Sequence, residues 1–517
     1  MLIDARSLPE GQILDADLCI VGAGAAGITL ARELVGQDLA VVVLESGGLD
    51  FEPDTQALYA GETVGNPSAP LDESRLRFFG GTSNHWMGYC RPLDPADFAV
   101  RPWIPHSGWP LTRTELDPYY ARAQSVLQLQ AYDYTAARWA DDIAPLLAGP
   151  LGRGRLQATV LQQSPPTRLG EVYRDELARA GNVRVLLNAN LVDIRTDAGA
   201  VAVEELAVAC LDGRRLVVRP KVAVLACGGS ENARILLNAR GAMPAGLGNG
   251  HGLVGRFFMD HPAYDAAEIL LDVDPALARG PATQLIDTTL ALDPEVERAE
   301  GLGRFMAYVF PRRDGGTEAP GYRALRDLTR ALRRGQVPER LWQMVGAVVG
   351  DLDGAAGDLW RRFVARSQVL TVRLHTETVP HPASRVGLIG ERDALGLQRV
   401  RLDWQLDPID RRTIRRGLEI LGEEVGRLGI GRLRLADWVQ APDFAVPGNG
   451  SYHHMGTTRM SDDPRRGVVD RDGRIHGMAN FYVAGSSVYP TGGAVNPTLT
   501  ITALALRLAD RLRSRPA

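Results

Sequence analysis

The stretch from Asp17 to Glu45 constrains the fold more than any other part of the chain. It reads as a short apolar strand (Leu18 to Val21), the turn Gly22-Ala23-Gly24-Ala25-Ala26-Gly27, a helix (Ile28 to Leu34) and a second strand (Ala40 to Leu44), closed by Glu45. In such a unit the first glycine permits the tight turn, the second lets a pyrophosphate approach the backbone, and the third lets helix and strand pack closely. An acid about 20 residues on can bind a ribose hydroxyl pair. A lone glycine spacing carries little weight. With strand, helix and acid all in place, Gly22, Gly24, Ala25, Ala26, Gly27, Glu45 and the adjoining Ser46 read as a dinucleotide-binding site.

The rest of the chain is organised around that unit. Strand-like runs follow at Val183 to Leu187, Leu191 to Ile194, Val201 to Leu211 and Leu216 to Leu225, and Ala226-Cys227-Gly228-Gly229 leads into an amphipathic helix, Glu231 to Leu237. This second strand, glycine and helix unit is expected to return the chain to the nucleotide domain. Between the two units lie the loop Phe78-Phe79-Gly80-Gly81-Thr82-Ser83-Asn84-His85-Trp86, whose glycines suggest backbone close to a ligand, and a helix near Glu115 to Leu129. From Ala266 to Leu435 longer strands (Leu370 to Val379, Val400 to Trp404) and a helix (Arg411 to Leu428) suggest a separate sheet domain. Within it His375 and Glu377 alternate with Leu374, Thr376 and Thr378, so both would share one strand face. That face either lines a substrate cavity or is solvated.

A chain of 517 residues exceeds the ~250–300 at which one core stops growing, so more than one domain is expected. The boundaries read as 1–70, first part of the nucleotide domain; 71–182, loop and cap or substrate segments; 183–265, its second part; 266–445, a substrate domain; and 446–517, a return carrying the chemistry. Residues 322–366 interrupt the substrate domain with apolar positions at helical spacing, Leu325, Leu328, Leu332, Leu341, Met344, Val345, Val348, Leu359 and Phe363. Such a stripe is a core or lid element, a subunit contact through which the chain would oligomerise, or a basic membrane-surface helix.

A net charge of -4 with dispersed arginines argues against a nucleic-acid partner, which needs a concentrated basic surface. The four cysteines show neither CxxC nor zinc spacing, so no metal is expected and a reducing compartment is. No signal-like start or bilayer-length apolar run is visible, and a soluble cytoplasmic protein is the expectation.

The last segment carries the candidate chemistry. It contains His453-His454-Met455-Gly456-Thr457-Thr458-Arg459-Met460, a strand-like Asn480 to Gly485, and Thr491-Gly492-Gly493-Ala494-Val495-Asn496-Pro497-Thr498-Leu499-Thr500. Proline is tolerated in a first helical turn, so Pro497 onward reads as a helix to Leu512 whose positive end faces Asn496. A negatively charged group would be stabilised there, beside an imidazole able to take an alcohol proton.

Taken together, the Gly22 to Gly27 turn with Glu45, the Gly80-Gly81-Thr82-Ser83 loop and the His453 to Thr500 block resemble the glucose-methanol-choline (GMC) family of FAD oxidoreductases nearly end to end. The resemblance implies an α/β fold, with a doubly wound FAD domain plus a substrate domain built on a large, mainly antiparallel sheet. It implies FAD held at Gly22, Gly24, Gly27 and Glu45, with the adenine near Val192. The flavin would lie against Gly80, Gly81, Thr82, Asn84, His85 and Trp86, with Gly228 in the second turn, Gly485 near the ribityl chain, and Pro497 and Thr498 at the ring's C2 carbonyl. His453 would be the base and Asn496 its partner, a pairing similar to that of pyranose oxidases; many relatives carry a second histidine there. Alignment on Gly456-Thr457 and Arg459-Met460 selects His453, leaving His454 to face elsewhere. A histidine matching His85 binds FAD covalently in pyranose oxidases but not in other relatives, and non-covalent FAD is expected.

The activity implied is oxidation of a small-molecule alcohol, a sugar or glycoside hydroxyl ahead of an aliphatic or aromatic one, with hydride passing to flavin N5 and oxygen, a quinone or a redox protein as acceptor. A redox-silent lyase of the same fold is the alternative. Disulfide reductases share the glycine motif but require a cysteine pair missing here.

Overall fold

The computed structural model describes the chain except residues 279, 281–284, 313–323, 326–327, 330–340, 352–368, 448–449 and 515–517. Among the described residues an eight-stranded sheet has the order Leu2–Asp4, Val183–Leu187, Val41–Leu44, Ile13–Val21, Arg215–Leu225, Val203–Ala209, Asn190–Thr196, with Phe481–Val483 pairing the Arg215–Leu225 strand. The pairs from Leu2–Asp4 through Ile13–Val21 to Arg215–Leu225 are parallel, and the last two strands form an antiparallel flap. The parallel members read as apolar runs because both faces are buried: Val41 to Leu44 are all at most 1% exposed. Helices Ala25–Glu33 and Thr498–Arg513 pack on each other over this sheet, so the two glycine units and the C-terminal block form one nucleotide domain.

A seven-stranded antiparallel sheet forms the second layer, in the order Gly431–Leu435, Ala263–Leu271, Val369–His375, Met306–Pro311, Ile286–Leu292, Leu156–Gln163, Tyr89–Cys90. Its last two strands come from the 71–182 segment. A third sheet was not foreseen: Glu62–Gly65 pairs in parallel with Gln398–Trp404, which pairs with Arg385–Arg392. It ties the first nucleotide segment to the substrate domain.

Helix limits shift by up to three residues from expectation, to Ala25–Glu33, Arg113–Val126 and Pro408–Arg427. The capping boxes at Thr112 and Asp407 fix two of those starts. Of the 322–366 stripe, Leu341–Gly350 is helical, while Leu332, Leu359 and Phe363 lie outside the described residues. No described helix is long and apolar enough to cross a membrane.

Candidate active site

One cavity of about 1360 Å³ runs from the Gly22 turn to His453. That exceeds the ~300–1,000 Å³ of drug-sized ligand sites and leaves room for a dinucleotide together with a substrate. At its first end recognition is built from backbone. Gly22 sits at φ +103, and a Cβ there would stand 2.7 Å from the Ala226 carbonyl oxygen. A Cβ on Gly24 would meet nothing within 4 Å, so open space lies in front of that backbone. Helix Ala25–Glu33 begins at Gly24 with no side-chain cap, and its free N–H groups face the cavity, an arrangement suited to a pyrophosphate. Gly27 does not line the cavity; its Cβ would fall 1.8 Å from the Gly22 carbonyl oxygen, so this glycine serves helix packing.

Glu45 is buried and accepts the N–H groups of Ala23 and Gly47, each at 2.9 Å. Burial raises its carboxyl pKa against those bonds. Ser46, Gly228, Gly485, Pro497 and Thr498 also line the cavity, and a Cβ on Gly228 or Gly485 would again meet open space. These residues fit FAD: two helix starts without a side-chain cap, at Gly24 and Pro497, a buried acid, and glycines that leave room for a ligand.

The loop after Phe79 departs from expectation in two places. Gly81, Thr82, His85 and Trp86 line the cavity, but Gly80 and Asn84 do not. Asn84 turns inward and donates to the Phe79 carbonyl at 3.0 Å, while Gly80, at φ +99, leaves space for the Asn84 side chain. At the adenine end Leu191 lines the wall and Val192 does not, because Val192 falls at a bulge between Leu191 and Asp193 that shifts the register.

The second end is made of side chains. His453 Nε2 accepts from Asn496 Nδ2 at 3.3 Å, and Asn496 Oδ1 is buried with no partner. His453 Nδ1 lies 3.0 Å from Nδ1 of His261, whose Nε2 lies 2.9 Å from the Gly493 carbonyl oxygen. His375 Nδ1 donates to the Ala494 carbonyl at 3.0 Å. Beneath the pair, buried Asp260 accepts the backbone N–H groups of His261 (2.7 Å) and His453 (2.9 Å). Burial, followed by the neighbouring rings His261, His375 and His454, holds the His453 pKa well below the ordinary value, so the ring is neutral. Burial, partly offset by the hydrogen bond to the Ala494 carbonyl, pushes His375 down to about 4.

Nitrogens of His261, His375 and His453 lie within 4.8 Å of one another. A tetrahedral ion bonded at ~2.0–2.1 Å keeps its ligand nitrogens roughly 3.3 Å apart. In this cluster the Nδ1 atoms of His261 and His453 stand 3.0 Å apart and hydrogen-bond to each other, so they do not present two free lone pairs to an ion.

Both adjacent histidines touch the cavity wall, but they point apart. His454 is buried against the Phe258 ring with Nδ1 3.2 Å from Ser230 Oγ, and burial followed by Arg75 lowers its pKa to about 3. Glu377 is not a cavity residue. Its strand ends at His375, so the alternation expected to bring the two to one face stops there. Glu377 instead forms a buried two-bond ion pair with Arg101, at 2.7 and 2.6 Å.

Residues that sequence reasoning passed over complete the walls. His261 is one, within Asp260-His261-Pro262 between apolar runs, a polar island that could have signalled it. Tyr89, Asp287, Tyr308 and Tyr452 line the cavity on its substrate side, and the buried Arg75 and Arg77, paired with Glu231, line it on the nucleotide side.

The GMC oxidoreductase family profile matches residues 380–505, which hold His453, Asn496 and the first half of the helix after them. The chain belongs to the GMC oxidoreductase family. Across its length this GMC oxidoreductase is similar to 6'''-hydroxyparomomycin C oxidase of Streptomyces lividus, 28% identical with 97% of this chain and 92% of the relative covered. It is also similar to the fructose dehydrogenase large subunit of Gluconobacter japonicus, 24% identical with 97% and 98% covered. The solved structure of a formate oxidase covers 98% of this chain and 99% of its own at a TM-score of 0.57 and 16% identity, a likeness of fold. The GMC oxidoreductase is thus an FAD flavoprotein with a parallel nucleotide sheet and a large antiparallel sheet.

Proposed function

We propose that this GMC oxidoreductase oxidises a sugar or glycoside hydroxyl to a carbonyl, with His453 as base. The observation that carries the reading is the His453 and Asn496 pair: a neutral imidazole whose Nε2 takes a 3.3 Å hydrogen bond from the Asn496 amide, with the amide's own Oδ1 buried without a partner. A substrate hydroxyl between them would give its proton to Nε2. Asn496 then positions the oxygen through its amide. FAD, when bound, supplies the acceptor for the hydride.

His375 uses its Nδ1 proton on the Ala494 carbonyl, so the bare Nε2 of this neutral ring is available to accept from a neighbouring hydroxyl. Tyr89, Tyr308 and Tyr452 with Asp287 give the mouth aromatic faces and polar edges that suit a polyhydroxylated ring better than an aliphatic chain. Two relatives named for an aminoglycoside and for fructose support that class.

The test is anaerobic flavin reduction followed in stopped flow, over sugars, glycosides and aryl alcohols. A positioned base contributes roughly 10²- to 10⁴-fold, so His453→Ala should slow reduction by about that range with the flavin spectrum intact. His454→Ala should be mild. If His454→Ala is crippled and His453→Ala reacts normally, the base is misassigned; if aryl alcohols reduce the flavin and no sugar does, the substrate class falls. Repeating turnover with oxygen, a quinone and an artificial dye identifies the acceptor.

A further inference from the structure

We infer that His261 is a positioning residue that fixes the protonation of His453, presenting Nε2 bare to the substrate while blocking any proton exit behind it. The inference rests on His453 as the base.

The argument follows the hydrogen-bond directions from a group that can only accept. The Gly493 carbonyl has no proton to give, so Nε2 of His261, 2.9 Å away, must carry one. His261 is buried to 0% exposure, and burial, followed by the neighbouring His375, holds its pKa well below the ordinary value; the ring is neutral with a single proton. Its Nδ1 is therefore a bare acceptor. At 3.0 Å the facing Nδ1 of His453 must be the donor. A neutral His453 with its proton on Nδ1 is bare at Nε2, and the Asn496 amide, donating to that atom at 3.3 Å, agrees from the other side.

Asp260 holds the backbone of both rings, and the Gly493 carbonyl that orients His261 lies three residues before Asn496. One loop thus sets both partners of His453. An aspartate behind a catalytic histidine orients the imidazole in the same way, but adds a charge. Here a neutral ring does so, and the base stays uncharged in a cavity shared with a cofactor.

The same bonds make His261 a dead end. When His453 takes the substrate proton at Nε2, its Nδ1 proton could leave by way of His261 only if that ring, then protonated at both nitrogens, released its Nε2 proton to the Gly493 carbonyl, which cannot hold it. The proton must leave from the cavity side.

The test reads protonation directly. In the holoenzyme labelled with ¹⁵N-histidine, His453 should show a protonated Nδ1 and a bare Nε2, and His261 the reverse, with signals assigned through His453→Gln and His261→Gln. His261→Leu, which removes the acceptor, should move the His453 proton wholly or partly to Nε2 and slow flavin reduction roughly 10- to 10²-fold, with substrate affinity within about twofold. His261→Gln, whose amide oxygen can accept in place of Nδ1, should recover most of the rate. A wild-type His453 protonated at Nε2 overturns the proposal. So does a His261→Leu enzyme as fast as wild type, or a glutamine variant no faster than leucine. If His261→Leu loses FAD, the wild-type spectrum decides alone. Normal reduction by His453→Ala would remove the base reading, while the ring protonation would still be measured.

Discussion

The two ends of the cavity are built from different materials. At the nucleotide end the ligand would meet backbone: a positive-φ turn at Gly22, open space in front of Gly24, and uncapped N–H groups from Ala25 onward. Four residues in a row suffice, because conformation is set locally. At the histidine end it would meet side chains from four distant places, His261, His375, His453 and Asn496, held by carbonyls at Gly493 and Ala494 and by Asp260. That end exists only once both sheets have formed. The first end should therefore break through added atoms, and the second through lost partners.

The largest expected effect is at the glycine end. Gly24→Val places a branched side chain in the space open to the pyrophosphate, and the purified variant should be colourless and fail to take up FAD on refolding. Normal FAD occupancy would remove the comparison at its root. Next is a change beneath the histidine end. Arg101 and Glu377 are 6% and 0% exposed, in a buried network with Arg304, Asp97 and Glu297. Burial alone would raise the Glu377 carboxyl, but Arg101 outweighs it and holds the pKa below the usual range. Asp97 accepts from Thr491 through its backbone carbonyl, so the network underlies the loop that orients the histidines. Arg101→Leu strands the carboxylate and should cost about 3–5 kcal/mol in urea unfolding. A loss below about 1 kcal/mol would mean the network does not support that loop.

The same contrast explains what was legible in the sequence. The parallel sheet, both glycine units and the helix after Asn496 were readable because each is set by a short run of residues. His453 and Asn496 were readable through family resemblance, but their partners were not. No local pattern says that His261 would reach His453 across 192 positions. Glu377 misled for a related reason: period-two alternation holds only while the strand lasts, and this strand stops at His375. The third sheet escaped because Glu62–Gly65 has only a four-residue run, and its partner lies more than 330 positions on.

The smallest expected effect separates the two ends by pH. His375 titrates at about 4 and His454 at about 3 when folded, against ~6.5 for an unfolded histidine. With folded values depressed, the unfolded chain binds the extra protons as pH falls below 6.5, so these rings favour folding fully above 6.5 and lose that contribution on acidification. Each can tilt stability by about 1.4 kcal/mol per pH unit within its window. Asp260 and Glu297, raised to about 7 by burial, tilt the other way, losing their contribution as pH rises toward 7. The total slope is therefore mixed, and the informative quantity is a difference between variants. Between pH 6 and 4.5 the stability of His454→Gln measured against wild type should improve with each unit of acidification by about 1.4 kcal/mol, because the variant has no ring left to protonate on unfolding. Gly36→Ala, at a solvent-facing turn with nothing within 4 Å of its Cβ, should displace the curve without tilting it. A His454→Gln difference that stays level across that range would mean the wild-type ring is already charged when folded, contrary to its burial beside Phe258.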